Sequence, residues 1–380
     1  MDRIAREKDH LLGRLTDQQV IEKTKKFGKI TQYSSQLPEG YSYEITTPET
    51  AHIAAELMYT FYGEGEADAF KNTSLEKLTE ARRRAIRNQN VTQFLLKHRE
   101  RGYVGTFRAV IHEDLLGLKF CSIVSLYLRK SERNLHFGMS LIIKSIEFTA
   151  VNGTDQIRYH CYFDNYRSQS LYKLVGGRRA GCIFKLLHIQ PPKIELEPRF
   201  KAVSVKTGSY SDCVDMIGRA STFVDLLQQE NGFIFGNTLA RILRSRKTYR
   251  DQVIPRDGSA EIEALGSLAV FLINPSEKEV IGVWGCYNFL SGTPGKHYPV
   301  FDHFLLNAEY VDQAAEIFSE GIFHLIHEIG QHYPACPQIW AEIDDVWIAG
   351  KPRFFDVKAI FKEKFGFEDV KILNFKNNMK

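Results

Sequence analysis

Apolar and polar positions change period repeatedly along this chain, and each change marks an element. "YSYEITT" (41–47) alternates as a half-buried strand does. "TPETAHIAAELMYTFYG" then shifts to helical spacing, with Thr47 at the cap and Pro48 in the first turn. "SLEKLTEARRRAIRNQN" reads as a second helix capped by Ser74, and "VTQFLLKH", "GYVGTFRAVI" and "KFCSIVSLYL" as three strands. A polar, charged break follows, and a helical run opens at Gly138 with "MSLIIKSIEFTAVNG". "QIRYHCYF" returns to strand, "NYRSQSLYKLVGG" to helix and "CIFKLLHIQ" to strand.

"PPKIELEP", Pro191 to Pro198, interrupts both periods and reads as a linker. The order of elements then recurs. "FKAVSVKT" is a strand, and "YSDCVDMIGRASTFVDLLQQ" and "TLARILRSRKTYRD" are helices. "LAVFLIN", "EVIGVWGCYNF" and "YPVFDHFLL" are strands, "AEIFSEGIFHLIHEIG" a helix and "QIWAEID" a strand. "FDVKAIFKEKFGF" and "VKILNFK" close the chain. The halves match element for element, which implies a duplication of units of about 170 residues. The expected layout is a charged extension over 1–40, one domain over 41–190, the linker over 191–198 and a second domain over 199–380.

The break between Leu128 and Gly138 is where chemistry can enter. It is either an ordinary strand-to-helix turn or a socket for an anion, since a helix N-terminus presents unpaired N–H groups and positive dipole charge. Two spacings bear on the choice. Leu126, Leu128, Arg133, Gly138 and Leu141 fall on the pattern L-x-V-x-P-x-x-[QR]-x-x-G-x-[GA]-x-x-L, with Lys130 at the proline and His136 at the first glycine. Downstream, Asn165, Ser168, Leu171, Tyr172, Gly176 and Gly177 fall on N-x-x-A-x-x-L-Y-x-x-x-G-F, with Ser for Ala and Gly for Phe. The pair, at this separation, resembles the GNAT superfamily of acyl-CoA-dependent N-acetyltransferases over residues 41 to 190.

The resemblance implies an α/β fold of two GNAT-like domains, each a mixed, splayed sheet flanked by helices. It implies acetyl-CoA as cosubstrate and an amine as acceptor. The pyrophosphate would lie against Arg133, Asn134, Leu135, His136, Phe137, Gly138 and Met139, flanked by Leu126 and Leu128. The pantetheine arm would pair between splayed fourth and fifth strands, "KFCSIVSLYL" and "QIRYHCYF". Ser168 would be a further cofactor contact, and Asn165 and Tyr172 would stand near the thioester, with Tyr172 as the acid that protonates the leaving thiolate. Deprotonating the amine needs a carboxylate or imidazole; Glu64, Glu66 and His160 are the candidates, and the motifs do not choose among them.

The second half departs further. "NAEYVDQAAEIF" puts acids where the socket should be, which would repel a phosphate, and Lys362 stands in place of the tyrosine. It reads as a GNAT-like domain without cofactor binding. Three functions compete: acetylation of a small-molecule amine, acetylation of a protein or peptide, and acyl-CoA binding without turnover.

The rest of the composition excludes little. A formal charge of +4 over 380 residues is too weak to imply nucleic acid, and "LARILRSRKTYR" reads as a solvated helix face. No run reaches the roughly 18 apolar residues of a membrane span. Cys121, Cys161, Cys182, Cys213, Cys286 and Cys336 form no CxxC pair, so a reduced, cytoplasmic protein is expected. "HLIHE" has its histidines at i and i+3, not the i and i+4 of a zinc helix, so no metal is expected. Nothing in the sequence sets the oligomeric state.

Overall fold

The computed structural model describes residues 36–61, 74–87, 90–133, 135–187, 199–204, 210–220, 222–227, 233–253, 266–289, 300–332, 338–344 and 356–378. Most of the expected extension, Glu64, Glu66, Asn134 and the whole expected linker lie outside them. The chain divides into two compact units. Unit 1 holds residues 1–112, 119–179 and 375–380, and unit 2 holds 113–118 and 180–374.

Unit 1 runs β1 (Tyr41–Ile45), α1 (Ala51–Phe61), α2 (Leu75–Arg87), β2 (Val91–His98), β3 (Gly102–Glu113), β4 (Lys119–Leu128), α3 (Leu135–Val151), β5 (Gln156–Tyr162) and α4 (Tyr166–Leu174). The strand order is β1-β2-β3-β4-β5. β1, β2 and β3 pair antiparallel, and β4 and β5 pair parallel. The helix ends follow from side-chain chemistry. Ser74 Oγ accepts the Lys77 N–H at 3.2 Å, the cap expected for α2. α1 begins later than expected, because Thr47 and Thr50 satisfy one another in a turn ahead of it, with the Thr47 N–H on Thr50 Oγ1 at 2.8 Å.

Helices cover both faces of this sheet, so β2 is buried on both sides from Val91 to Leu96. Leu95 packs with Ala54, Leu57 and Met58 of α1 and with Tyr127 of β4. Phe94, the next position back, stacks on Phe107 at 4.6 Å and meets Phe148 of α3 edge-on at 5.5 Å. α1 and α3 therefore lie on opposite faces.

Unit 2 runs β6 (Arg178–Leu187, in this unit from Ala180), β7 (Lys201–Ser204), α5 (Tyr210–Arg219), β8 (Thr222–Asp225), β9 (Phe233–Phe235), α6 (Gly236–Val253), β10 (Gly266–Asn274), β11 (Glu279–Phe289) and β12 (Val300–Asn307). It continues with α7 (Ala314–His332), β13 (Gln338–Asp344), α8 (Val357–Ala359) and β14 (Glu368–Asn378). β14 follows β5 in the strand order, and its residues from Phe375 belong to unit 1. The other strands follow the order β6-β13-β12-β11-β10-β7. The core centres on Trp284, whose ring lies 4.5 to 5.4 Å from those of Phe304, Phe301 and Phe318.

One expectation fails here. The helix read over "YSDCVDMIGRASTFVDLLQQ" stops at Arg219, and Thr222–Asp225 is a strand. Thr222, Phe223 and Val224 are β-branched or aromatic, and β12 and β9 offer them partners, so pairing overrides a helical spacing that Leu226 and Leu227 would have continued.

Candidate functional site

The feature that sets unit 1 apart lies between β4 and β5. Their parallel ladder pairs Phe120 with Gln156, Cys121 with Ile157, Ser122 with Arg158 and Ile123 with Tyr159, and then ends, although both strands continue. Two residues later Ser125 has φ 58, a left-handed backbone that few side chains tolerate. A strand bent in this way turns from its neighbour. The result is a wedge between Val124–Leu128 and His160–Tyr162, lined by backbone groups that the ladder no longer uses.

The N-terminus of α3 stands at the end of this wedge. α3 starts at Leu135, three residues ahead of the expected Gly138, so a single 3-10 turn over Lys130–Glu132 and a short link connect it to β4. Phe137 and Met139 are buried, which draws these residues into the helix. Gly138 thus lies inside the first turn and faces α4: a Cβ there would come 3.0 Å from Leu171 Cδ1. Its smallness lets α4 pack against α3.

The turn is held from beneath. Glu132 is buried, accepts the Tyr41 hydroxyl at 2.7 Å and pairs with the Arg101 guanidinium at 2.7 Å. Tyr41 in turn packs against Phe137 at 4.6 Å. Sequence reading overlooked Glu132, whose partners are 91 and 31 residues away in the chain. Its charge is committed to Arg101 and does not face the helix end alone. Arg133 is half-buried; its Nε donates to the Leu128 carbonyl at 2.8 Å, and its guanidinium lies 5.4 Å over the Tyr127 ring. Arg133 therefore ties the end of β4 to the turn and keeps its charge beside the α3 terminus. Leu128 is buried and Leu126 half-buried.

The downstream motif forms α4. Asn165 is its N-cap, accepting the Ser168 N–H at 3.1 Å. Gly176, at φ 86, and Gly177 close the far end, with the Gly177 N–H on the Tyr172 carbonyl at 2.8 Å. A Cβ at Gly177 would sit 2.7 Å from that carbonyl, which accounts for glycine where the motif has phenylalanine.

Tyr172 is only 5% exposed. Its ring stacks on Tyr159 at 4.4 Å and packs against Phe375 at 5.6 Å. Burial pushes its phenol well above the ordinary tyrosine value, so it stays protonated across the usual pH range. Tyr159 is the last β5 residue paired with β4, so Tyr172 borders the closed end of the wedge on the α3 face. His160, next in β5, is half-buried and by strand alternation turns to the α1 face. Of the candidate bases, only His160 is among the described residues. Burial pushes Cys161 and Cys121 up to about 12, which suits packing thiols and not nucleophiles.

In unit 2 the equivalent place is filled. The parallel β12–β13 ladder covers only Val300–Trp340 and Phe301–Ala341. Beyond it, β8 pairs with β12 through Leu305–Asp225, Leu306–Val224 and Asn307–Phe223. β11 already pairs with the other edge of β12 at Leu305 and Leu306. β8 therefore occupies the edge that unit 1 leaves open, and Glu309 and Asp312 follow in the turn behind it.

A second polar group lies inside unit 2. His303 Nδ1 is 2.7 Å from Asp225 Oδ2, and its Nε2 is 3.2 Å from Asp114 Oδ2 and 3.6 Å from Asp302 Oδ2. Asp114, Asp302 and His303 have donor atoms close enough to share a metal ion. Carboxylates at both ring nitrogens favour the doubly protonated imidazolium, and the four side chains form one buried polar network. In "HLIHE", His324 Nε2 lies 3.5 Å from Glu320, and His327 stacks on Phe323.

No protein-family model matches the chain, and no curated protein matches its sequence. Solved structures do match its fold. A tandem GNAT protein from the clavulanic acid biosynthesis pathway aligns over 90% of this chain and 99% of its own, at 11% identity and a TM-score of 0.51. A GCN5-related N-acetyltransferase from Sphaerobacter thermophilus aligns over 91% and 98%, at 11% identity and 0.54. A fungal GCN5-related glucosamine N-acetyltransferase region aligns over 90% of this chain and 38% of its own, at 10% identity and 0.54. At such identities the likeness concerns architecture. With a mixed sheet flanked by helices in each half, the chain has the tandem GNAT fold.

Proposed function

We propose that this chain is an acyl-CoA-dependent N-acyltransferase, that acetyl-CoA is its donor and that a small-molecule amine is its acceptor. The observation that carries the reading is the early end of the β4–β5 ladder, with Ser125 at φ 58 and a helix N-terminus beside it. That combination suits one ligand shape: an amide-rich arm that pairs with open strand edges, joined to a pyrophosphate that takes helix N–H groups. We assign the chemistry to residues 41–190 and place the protein in the cytoplasm; Cys121, Cys161, Cys213 and Cys286 are buried thiols in no disulfide, as a reducing compartment would keep them. No helix among the described residues is long and apolar enough to cross a membrane.

In this reading the α3 N-terminus, with Arg133 beside it, holds the pyrophosphate. Backbone N–H groups of β4 past Ile123 polarise the thioester carbonyl. A base, either His160 on the α1 face or one of Glu64 and Glu66, takes the ammonium proton, directly or through water. The amine nitrogen attacks, the C–S bond breaks, and Tyr172 gives its proton to the thiolate. A second reading, an acyl-CoA binder without turnover, is favoured by one observation: burial raises the Tyr172 phenol and makes it a weaker acid for that last step.

Incubation with acetyl-CoA and a panel of amines separates the two, with free thiol and acylated amine as readouts. Turnover with at least one amine is expected, and Arg133→Glu should weaken CoA severely by placing a like charge beside the phosphates. Tight CoA binding without turnover on any amine would favour the binder, and indifference to Arg133→Glu would remove the socket.

A further inference from the structure

The α1 face of unit 1 carries a cleft of about 430 Å³, bounded by Ile53, Glu56 and Tyr59 of α1, by Arg101 and Tyr103 at the start of β3, and by Arg129 just past β4. We propose that this cleft holds the acceptor, and that the acceptor is a small dipolar amine, one that carries a carboxylate or phosphate as well as its amino group. The proposal rests on the transferase reading for the fate of the amine, but the binding it predicts can be measured without turnover.

Position is the first argument. The Arg129 N–H donates to the Val104 carbonyl of β3 at 2.9 Å, which fixes Arg129 one residue past the end of β4. At the rise of a strand it stands about 13 Å beyond the bend at Ser125. Ile53, Leu57 and Tyr103, which border the cleft, pack in the same cluster as Tyr127, so the cleft lies on the strand that forms one wall of the wedge. His160 turns to the same face.

Charge is the second argument. Arg101 is spent on Glu132 and Tyr41. Glu56 and Arg129 remain, both exposed and neither in an ion pair among the described residues. One uncommitted anion and one uncommitted cation complement a molecule that carries one of each. A polyamine would place a positive charge against Arg129, and a simple amine would leave Arg129 without a partner. An arginine fork suits carboxylate or phosphate equally well. Size is the third argument: the volume suits a metabolite, whereas a protein segment needs an open groove.

The binding test uses the full chain saturated with CoA and the turnover test the full chain with acetyl-CoA, each with two pairs of amines. Lysine is compared with 1,5-diaminopentane, and phosphoethanolamine with ethanolamine, by calorimetric binding and by turnover. The anionic member of at least one pair should bind about tenfold or more tightly, the worth of one charge-assisted hydrogen bond. Whichever pair shows the preference tells carboxylate from phosphate. Arg129→Met should erase it, and Arg129→Glu should reverse it toward 1,5-diaminopentane, with CoA affinity unchanged in both. Binding that depends on Arg129 without turnover would support the cleft while sinking the transferase reading. Turnover or binding with no preference for the anionic member, a preference that survives Arg129→Met, or no binding of any of the four would overturn the proposal.

Discussion

Replacing His303 with alanine is expected to lower stability by about 3–5 kcal/mol, the cost of removing one partner from a buried ion network. Total stabilities of domains run to roughly 5–15 kcal/mol, so most of the margin would be lost. The imidazolium lies between Asp225 and Asp114, with Asp302 beside it, and the side chains of all four are almost wholly buried. Asp114 also accepts the Leu116 and Leu118 N–H groups at 2.9 Å, and Asp225 that of Leu227 at 3.0 Å, so the network organises two turns of unit 2. Burial pulls the His303 pKa down, but the carboxylates of Asp302, Asp225 and Asp114 outweigh it and hold it well above 6.5. A group raised on folding contributes fully below its unfolded value near 6.5, and the contribution is lost as pH rises through the folded value. Urea titrations should therefore show the gap between parent and His303→Ala widest at and below about pH 6.5 and narrowing at alkaline pH. A difference within about 0.5 kcal/mol, the range of ordinary surface changes, would contradict this account of the network.

Tyr172→Phe should reduce kcat by about 10²–10⁴-fold while leaving CoA affinity and stability close to the parent's. The change keeps the ring that stacks on Tyr159 and removes only the hydroxyl. Because burial raises the phenol, the parent's rate should not fall through loss of this acid until pH exceeds the ordinary tyrosine value near 10. A structural tyrosine gives the opposite pattern, with stability reduced and turnover per folded molecule unchanged.

Local signals were legible where they agreed with the tertiary structure. The strand "KFCSIVSLYL", the Ser74 cap and the order of elements in the first half follow from alternation and capping chemistry alone. The motif spacing also located the wedge, but not its cause, since nothing in "IVSLY" marks Ser125 as left-handed. What stayed hidden depends on distant partners. His303 is 78 residues from Asp225 and 189 from Asp114, and "YPVFDHFLL" reads as a strand without showing that Asp302 and His303 in it are buried. β8 was absorbed into a helix because a four-residue strand has no periodicity of its own, and its identity comes from the open edge of β12.

On the proposed function, β8 also decides how many donor molecules the chain can hold. Unit 1 leaves the edges past Ile123 and Tyr159 open, and unit 2 covers the matching edge of β12 with its own strand and places Glu309 and Asp312 behind it. The stoichiometry of CoA binding to the full chain, measured by calorimetric titration, tests this most directly. The account predicts one site per chain. Two sites, or none, would contradict it.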